Sequence, residues 1–193
     1  MTVFKNSHHD KDWSIVSSEY LFKRPWLTVR KDEVRLPDGR IMPEYYVLEY
    51  PTWINVIAIT EDGEMVLVRQ YRHGIGETRL ELCAGVVDDG ESPLDGAKRE
   101  LLEETGYAGG EWEELMVVSA NPSTMNNVSH SFVAKGVKRV AGQNLDPTED
   151  IDVVLMSQDD VFGLLRDGEF VQSLMAAPLW KYFYLTKTEN GCN

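Results

Sequence analysis

Three glutamates lie within five residues of one another in the segment GVVDDGESPLDGAKRELLEETGY, which spans residues 85–107. Glu100, Glu103 and Glu104 stand at positions i, i+3 and i+4, so a helix would place them on one stripe of its surface. Like charges at that spacing destabilise an isolated helix by about 0.2–0.5 kcal/mol per pair. A divalent cation would relieve this repulsion, because oxygen ligands on one rigid face are what Mg²⁺ requires. On these three residues alone, a solvated acidic helix face is the simpler interpretation.

Capping signals predict where the helix that carries these carboxylates begins and ends. Ser92 is a favourable N-cap, Pro93 suits the first helical position, and Gly106 suits the position after the last turn. The sequence therefore predicts a helix over residues 93–105. The apolar stripe predicted to face the core consists of Leu94, Ala97, Leu101 and Leu102.

The residues around the three glutamates complete a longer pattern, G-x5-E-x7-R-E-U-x-E-E-x-G-U, in which U is a bulky apolar residue. Its nine defined positions are filled by Gly85, Glu91, Arg99, Glu100, Leu101, Glu103, Glu104, Gly106 and Tyr107. A full match is far more specific than a lone acidic stripe. The segment therefore resembles the Nudix hydrolase box.

The resemblance implies a chemical role for each part of this segment. The metal ligands that it implies, for Mg²⁺ or for Mn²⁺ in its place, are Glu100, Glu103, Glu104 and the backbone carbonyl of Ala84. The catalytic residues that it implies within the box are Glu91, Arg99 and Glu103, and the first two of these would orient the metal-binding carboxylates. The implied reaction is hydrolysis of a nucleoside diphosphate that is linked to another group.

Segments outside the box resemble the ADP-ribose pyrophosphatase branch of this family. They are RPWLTVRKDEVRLPDG at 24–39, VLVRQYRHG at 66–74 and LELCAG at 80–85. The resemblance implies a homodimer that hydrolyses ADP-ribose to AMP and ribose 5-phosphate and whose N-terminal strands cross to the partner. The segment NPSTMNNVSH at 121–130 departs from the branch pattern, so GDP-mannose, another nucleotide sugar or a dinucleotide stays open as the substrate.

Four residues match positions that contact substrate in that branch: Trp26, Tyr46, Arg72 and Glu81. Trp26 and Tyr46 could stack on the base, although both rings could equally fill the core of a small hairpin. Arg72 could contact the diphosphate or could simply be the charged end of a strand. Glu81 would be an acid close to the substrate or the metal.

A general base is expected outside the box, on a loop that can reach the attacked water. No Asp or Glu lies between Leu115 and Leu145, which leaves the segment DPTED at 146–150. Glu149 is the predicted base, with Asp146 and Asp150 as its alternatives. A plain polar loop between strands is the competing interpretation of this segment.

The elements that must position these residues form an α+β chain. Alternating and apolar segments predict an antiparallel hairpin over 26–50, a second hairpin over 55–72 and further strands on both sides of the box. Helical spacing follows at 158–168 and 171–187. A mixed sheet between helices agrees with the Nudix-type α/β/α sandwich that the resemblance implies. A small antiparallel β unit at 1–50, expected to mediate dimerisation, precedes the hydrolase domain at 51–193.

Composition limits the partners of the chain. Its 193 residues carry a formal net charge of −13, which argues against nucleic acid as a partner and against a nucleotide sensor with an appended DNA-binding segment. No apolar run approaches the length of about 18 residues that a membrane span needs, and no secretory signal is evident, so a cytoplasmic protein is expected. Two cysteines do not indicate a disulfide framework.

Overall fold

The computed structural model describes residues 11–189, which divide into two compact units. The first unit comprises the described part of Met1–Pro51 together with Ser119–Val128. The second comprises Thr52–Val118 and the described part of Ser129–Asn193. Residues 1–10 of the predicted N-terminal unit lie outside the described residues.

The first unit is built on a three-stranded antiparallel sheet in the order β1 (Ser14–Arg24), β2 (Leu27–Arg35) and β3 (Ile41–Glu49). The predicted hairpin over 26–50 is confirmed as β2 and β3, whereas β1 was not predicted. Residues of Ser119–Val128 bind to β3, since the Leu48 amide donates to the Thr124 carbonyl at 2.6 Å.

The second unit contains a seven-stranded mixed sheet. Its strands are β4 (Trp53–Thr60), β5 (Met65–Arg72), β6 (Glu77–Val86), β7 (Tyr107–Ala108), β8 (Glu111–Val118), β9 (Ser129–Arg139) and β10 (Ile151–Met156). They follow the order β10-β5-β6-β4-β9-β7, and β8 also pairs with β9. The β4–β9 pair is parallel and the other pairs are antiparallel, as expected for a mixed sheet.

The predicted hairpin of β4 and β5 is short. The two strands pair only at Ala58–Val66 and Ile59–Met65, beside the turn. Beyond that point β6 pairs with β5 up to Leu82 and with β4 from Cys83 onward. The strand that leads into the box is therefore held by both arms of the hairpin.

Helices cover the two faces of this sheet, because alternate side chains of its strands point to opposite sides. On one face α1 (Pro93–Thr105) buries Ala97 and Leu101 against the sheet, while Leu102 is exposed, contrary to its predicted place in the core stripe. The opposite face carries α2 (Gln158–Arg166) and α3 (Ser173–Glu189). No helix among residues 11–189 is both long and apolar enough to cross a membrane.

The predicted limits of α1 are confirmed, and its caps explain them. The Ser92 side chain accepts a hydrogen bond from the Asp95 amide at 3.1 Å, which satisfies a free donor of the first turn. Gly106 has a φ of 75°, a left-handed conformation, and its amide bonds to the Leu102 carbonyl. The carboxylates are thus carried by a helix with both ends fixed.

Candidate active site

Arg99 of α1 forms hydrogen bonds with several carboxylates of the box. Its Nε and Nη2 donate to the two carboxylate oxygens of Glu91 at 3.1 and 3.0 Å. Its Nη1 donates to Glu100 at 2.9 Å and to Glu103 at 3.0 Å, and Nη2 also donates to the Val86 carbonyl at 2.8 Å. The hydrogen bonds to Glu91, then those to Glu100 and Glu103, raise the pKa of Arg99. The guanidinium thereby ties the loop before α1 to the acidic stripe of the helix.

Glu104 is the most buried acid of the stripe, at 4% exposure. Its Oε2 accepts a hydrogen bond from the Ala84 amide at 3.1 Å, and the Cys83 thiol also interacts with it. Burial raises the pKa of Glu104 to about 7. Within residues 11–189 no Lys, Arg or His forms an ion pair with this carboxylate, although buried charges are normally paired.

Gly85 is needed because the Glu100 carboxylate occupies the space where a side chain would be. A Cβ built on Gly85 would lie 2.1–2.5 Å from the carboxylate atoms of Glu100. The last residues of β6 and the middle of α1 therefore approach each other closely. Burial is the main cause that raises the pKa of Glu100.

The donor set fits a hard divalent cation. It consists of oxygen atoms only, and the single guanidinium of Arg99 faces the four carboxylates of Asp88, Glu91, Glu100 and Glu103. The charge of this cluster is thus strongly negative, and Glu104 adds a buried carboxylate without a cationic partner. Among residues 11–189 no three Asp, Glu, His or Cys side chains converge on one point, because Arg99 and the Ala84 amide hold the glutamates instead.

Arg72 lies at the end of β5, beside this cluster. It donates to Glu81 through Nε at 3.0 and 3.1 Å and through Nη2 at 2.6 Å, so the buried Glu81 is neutralised by a two-pronged ion pair. Glu81 first, and then the charges of Glu104 and Glu149, raise the pKa of Arg72. The predicted residues Arg72, Glu81, Glu104 and Glu149 therefore act on one another electrostatically.

A cavity of about 310 Å³ opens next to Arg72. Its walls include Ala84 and Gly85, which precede the box, and Trp53, Asn55 and Ser129 from the neighbouring strands. The cavity is therefore continuous with the backbone that supports Glu100 and Glu104. It is large enough to hold a sugar or a base next to the acidic cluster.

Glu149 lies on the exposed loop between β9 and β10, and hydrogen bonds fix that loop to the end of α1. The Asn144 amide donates to the Glu103 carbonyl at 2.8 Å, and Gln143 Nε2 donates to the Glu104 carbonyl at 2.8 Å. Glu149 itself accepts from the Asp146 amide at 2.9 Å. Its negative charge contributes to raising the pKa of Glu104.

Two predicted substrate contacts, Trp26 and Tyr46, belong to the first unit, whereas the others belong to the second. Trp26 is 85% exposed at the turn between β1 and β2, so its ring does not fill the hairpin core. Tyr46 is also exposed, and its hydroxyl donates to Glu44 at 2.9 Å. Both rings present surface on which another molecule could pack.

Sequence reasoning missed the residues that support the cluster. Asp88 lies 3.8 Å from Arg99, and Gln143 connects the carbonyls of Glu104 and Ile151. Asp88 could have been noticed as an acid inside the box. Gln143 has no sequence signal, because its role depends on contacts between distant segments.

Comparisons with known proteins agree with this geometry. A NUDIX domain model matches residues 50–176, and a model of the nucleoside diphosphate sugar hydrolase N-terminal domain matches residues 13–48. A methanol dehydrogenase activator from Bacillus methanolicus is 30% identical over 159 residues, which cover 82% of this chain and 85% of that protein. An ADP-ribose pyrophosphatase from Bacillus subtilis (strain 168) is 26% identical over 155 residues, covering 80% and 83%.

A solved structure has the same fold as this chain. It is described as the crystal structure of an ADP compounds hydrolase, and it superimposes with a TM-score of 0.81 at 22% identity. The match covers 94% of this chain and 98% of that one. The expected Nudix-type fold is therefore confirmed. Since the NUDIX model spans well over half of the residues, the chain belongs to the Nudix hydrolase family.

Proposed function

We propose that this Nudix hydrolase cleaves the diphosphate of a nucleoside diphosphate sugar, and that ADP-ribose is converted to AMP and ribose 5-phosphate. The acidic cluster around Arg99, next to a cavity of about 310 Å³, is the observation that carries the proposal. The two family models and the ADP-ribose pyrophosphatase relative support the choice of substrate. GDP-mannose and other nucleotide sugars are the alternative substrates of the same reaction.

Glu100, Glu103, Glu104 and the Ala84 carbonyl are the proposed ligands of Mg²⁺, with Mn²⁺ as a substitute. When bound, a divalent cation supplies positive charge that draws electron density from the diphosphate. Arg99 and Glu91 keep the acidic stripe in place before substrate arrives, because the Arg99 guanidinium donates to Glu100 and to Glu103 while two further hydrogen bonds anchor it to Glu91.

The remaining residues bind the substrate or accept a proton from the attacking water. Arg72 attracts the diphosphate, and its partner Glu81 fixes the direction of the guanidinium. Glu149 accepts a proton from the attacking water as the oxygen of that water bonds to phosphorus. The bridging P–O bond breaks, and the bridging oxygen leaves with the other phosphate. Trp26 and Tyr46 stack on the base.

The exposed strand β1 supports a homodimer. All eleven of its residues are exposed, and they include Ile15, Val16, Tyr20, Leu21 and Phe22. Five large apolar side chains exposed on one edge strand are unusual in a soluble monomer, and an edge strand also offers unpaired backbone groups to a second chain. A second copy of the chain is the proposed occupant of this strand.

Replacing Ile15 and Phe22 of β1 by lysine tests the dimer. Charges in an apolar interface would convert the dimer to a monomer, as light scattering coupled to size exclusion measures. Lys187→Ala on α3 is the control that should leave the mass unchanged. A wild-type chain that elutes as a monomer would contradict the proposal.

We propose in addition that the protein acts in the cytoplasm, without nucleic acid or a membrane as a partner. Its net charge of −13 supports the exclusion of nucleic acid. Measuring binding to double-stranded DNA and to anionic vesicles at low salt tests both exclusions. Saturable micromolar binding to either would contradict them.

A panel of nucleotide sugars tests the proposed reaction. ADP-ribose, ADP-glucose, GDP-mannose and a dinucleotide are incubated with Mg²⁺, with Mn²⁺ and with a chelator, and the products are separated by chromatography. We expect metal-dependent release of AMP and ribose 5-phosphate, with ADP-ribose as the preferred substrate. Turnover of none of these compounds, or equal turnover in the chelator, would overturn the proposal.

A further inference from the structure

Two cavities of the second unit share a wall that consists of Arg72 and Gln172. The first is the cavity of about 310 Å³ beside the box. The second has a volume of about 320 Å³, and its other walls are residues 73–75, Glu81 and Val171. Arg72 and Gln172 line both cavities. A ligand with one part in each cavity would therefore contact these two side chains at its middle.

Both side chains of this shared wall carry hydrogen-bond donors that the fold does not use. Arg72 donates to Glu81 through Nε and Nη2 only, so within the described part of the chain its Nη1 has no partner, and the side chain is 41% exposed. Gln172 is exposed, and its carboxamide has no hydrogen-bond partner there either. Its backbone is fixed, because its carbonyl accepts the amides of Met175 and Ala176 at 3.0 Å each, at the start of α3.

The shared wall offers donors without surplus positive charge. With histidine counted as neutral, the charged side chains among the described residues that line the two cavities are Arg72 and Glu81, and their charges cancel. Glu104 and Glu149 also act on Arg72 electrostatically and add negative charge. A diphosphate that is esterified at both ends carries two negative charges, whereas a terminal diphosphate carries up to three. The wall therefore suits the diphosphate with the lower charge.

We propose that Gln172 is a specificity-determining residue, whose neutral carboxamide donates to the diphosphate beside Arg72 and favours a diphosphate esterified at both ends over a terminal one. The inference rests on the proposed function, which brings a diphosphate to Arg72. The two cavities then receive the groups on either side of the diphosphate. A nucleoside diphosphate such as ADP lacks one of these groups and carries one more negative charge, so it binds less tightly than ADP-ribose.

Calorimetry with two ligands that resist cleavage tests this preference. The α,β-methylene analogues of ADP-ribose and of ADP are titrated into the protein with Mg²⁺ at pH 8, where the terminal phosphate is fully ionised. The wild type should bind the ADP-ribose analogue more tightly. Gln172→Lys should shift the ratio of the two Kd values towards the ADP analogue by about two- to fivefold, as an exposed ion pair does. Gln172→Glu should shift the ratio in the opposite direction.

Two further variants separate the local charge from the net charge and from the hydrogen bond. Thr188→Lys, at the exposed far end of α3, adds the same charge about 22 Å along the helix from its first residue, which is more than two Debye lengths. It should keep the wild-type ratio. Gln172→Ala removes the donor without changing the charge, so it should raise both Kd values by about two- to tenfold and leave their ratio unchanged. Circular dichroism melting establishes that all variants are folded.

Three results would overturn the inference. The ratio of Kd values could be the same in Gln172→Lys and Thr188→Lys, Gln172→Ala could bind both analogues as the wild type does, or the wild type could bind neither analogue. Failure of the proposed function is distinguishable, because the wild type would then leave ADP-ribose intact in the product assay. The calorimetric ratios do not depend on turnover and would still report on Gln172.

Discussion

Helices α1 and α3 lie on opposite faces of the same sheet and are stabilised in different ways. In α1 the cap residues, the buried stripe and the carboxylates all come from one continuous segment. In α3 the chain places Pro178 inside the helix, and the side chain of Asn55, 119 positions before Leu174, donates to the Leu174 carbonyl instead. The helix on one face of the sheet is therefore defined by local sequence, whereas the helix on the other face depends on a tertiary contact.

The largest expected effect lies on the face of α1. Glu104→Gln keeps the shape of the buried side chain but removes its charge, and we expect kcat for ADP-ribose to fall about a thousandfold. The melting temperature should not fall, because burial raises the pKa of Glu104 and the charge that is removed therefore destabilises the folded state.

Glu113→Gln, on the exposed surface of β8, is the control for charge removal and should behave as wild type. Glu103→Gln should resemble Glu104→Gln. Normal turnover by both box variants would refute the assignment of metal ligands. Loss of activity in the control would show that the chain responds to its total charge.

The second effect concerns the loop that is attached to the end of α1. Glu149→Gln should lower kcat several hundredfold and change KM little, since a general base contributes about 10²–10⁴-fold to the rate. Asp150→Asn on the same loop should retain most of the activity. Should Asp150→Asn show the larger loss in steady-state kinetics, the base is Asp150.

The third effect tests the close approach of β6 to α1. Gly85→Ala would place a Cβ about 2 Å from the Glu100 carboxylate and displace it. A displacement of this size costs up to about a hundredfold in kcat/KM. Gly163→Ala in α2 meets no atom within 4 Å and is the matched control. Unchanged kinetics of Gly85→Ala would show that the Glu100 position is not needed.

The same contrast explains how much of the molecule the sequence predicts. The limits of α1 follow from Ser92, Pro93 and Gly106, because capping acts within a few residues. The strand β1 has no alternation of apolar and polar residues, since both of its faces are exposed, and it was therefore missed. Leu102 was misplaced because helical spacing alone does not show how wide the buried stripe is.

Parts of the site that depend on contacts between distant segments could not be predicted. Gln143 joins the carbonyls of Glu104 and Ile151, and Asn55 serves the carbonyl of Leu174. Neither residue belongs to a local pattern. Pro178 was the only available signal, since a proline within a helix leaves a carbonyl that some other donor must satisfy.

The smallest expected effect is a change in stability, and it concerns the contact between β4 and α3. Asn55→Leu should lower the free energy of unfolding by about 1–3 kcal/mol in urea titrations, because the Leu174 carbonyl loses its donor in a buried place. In the Pro178→Ala background the same substitution should cost less, since the amide of residue 178 then bonds to that carbonyl. Equal costs in the two backgrounds would show that Asn55 and Pro178 are not coupled, and that α3 is held by its apolar packing alone.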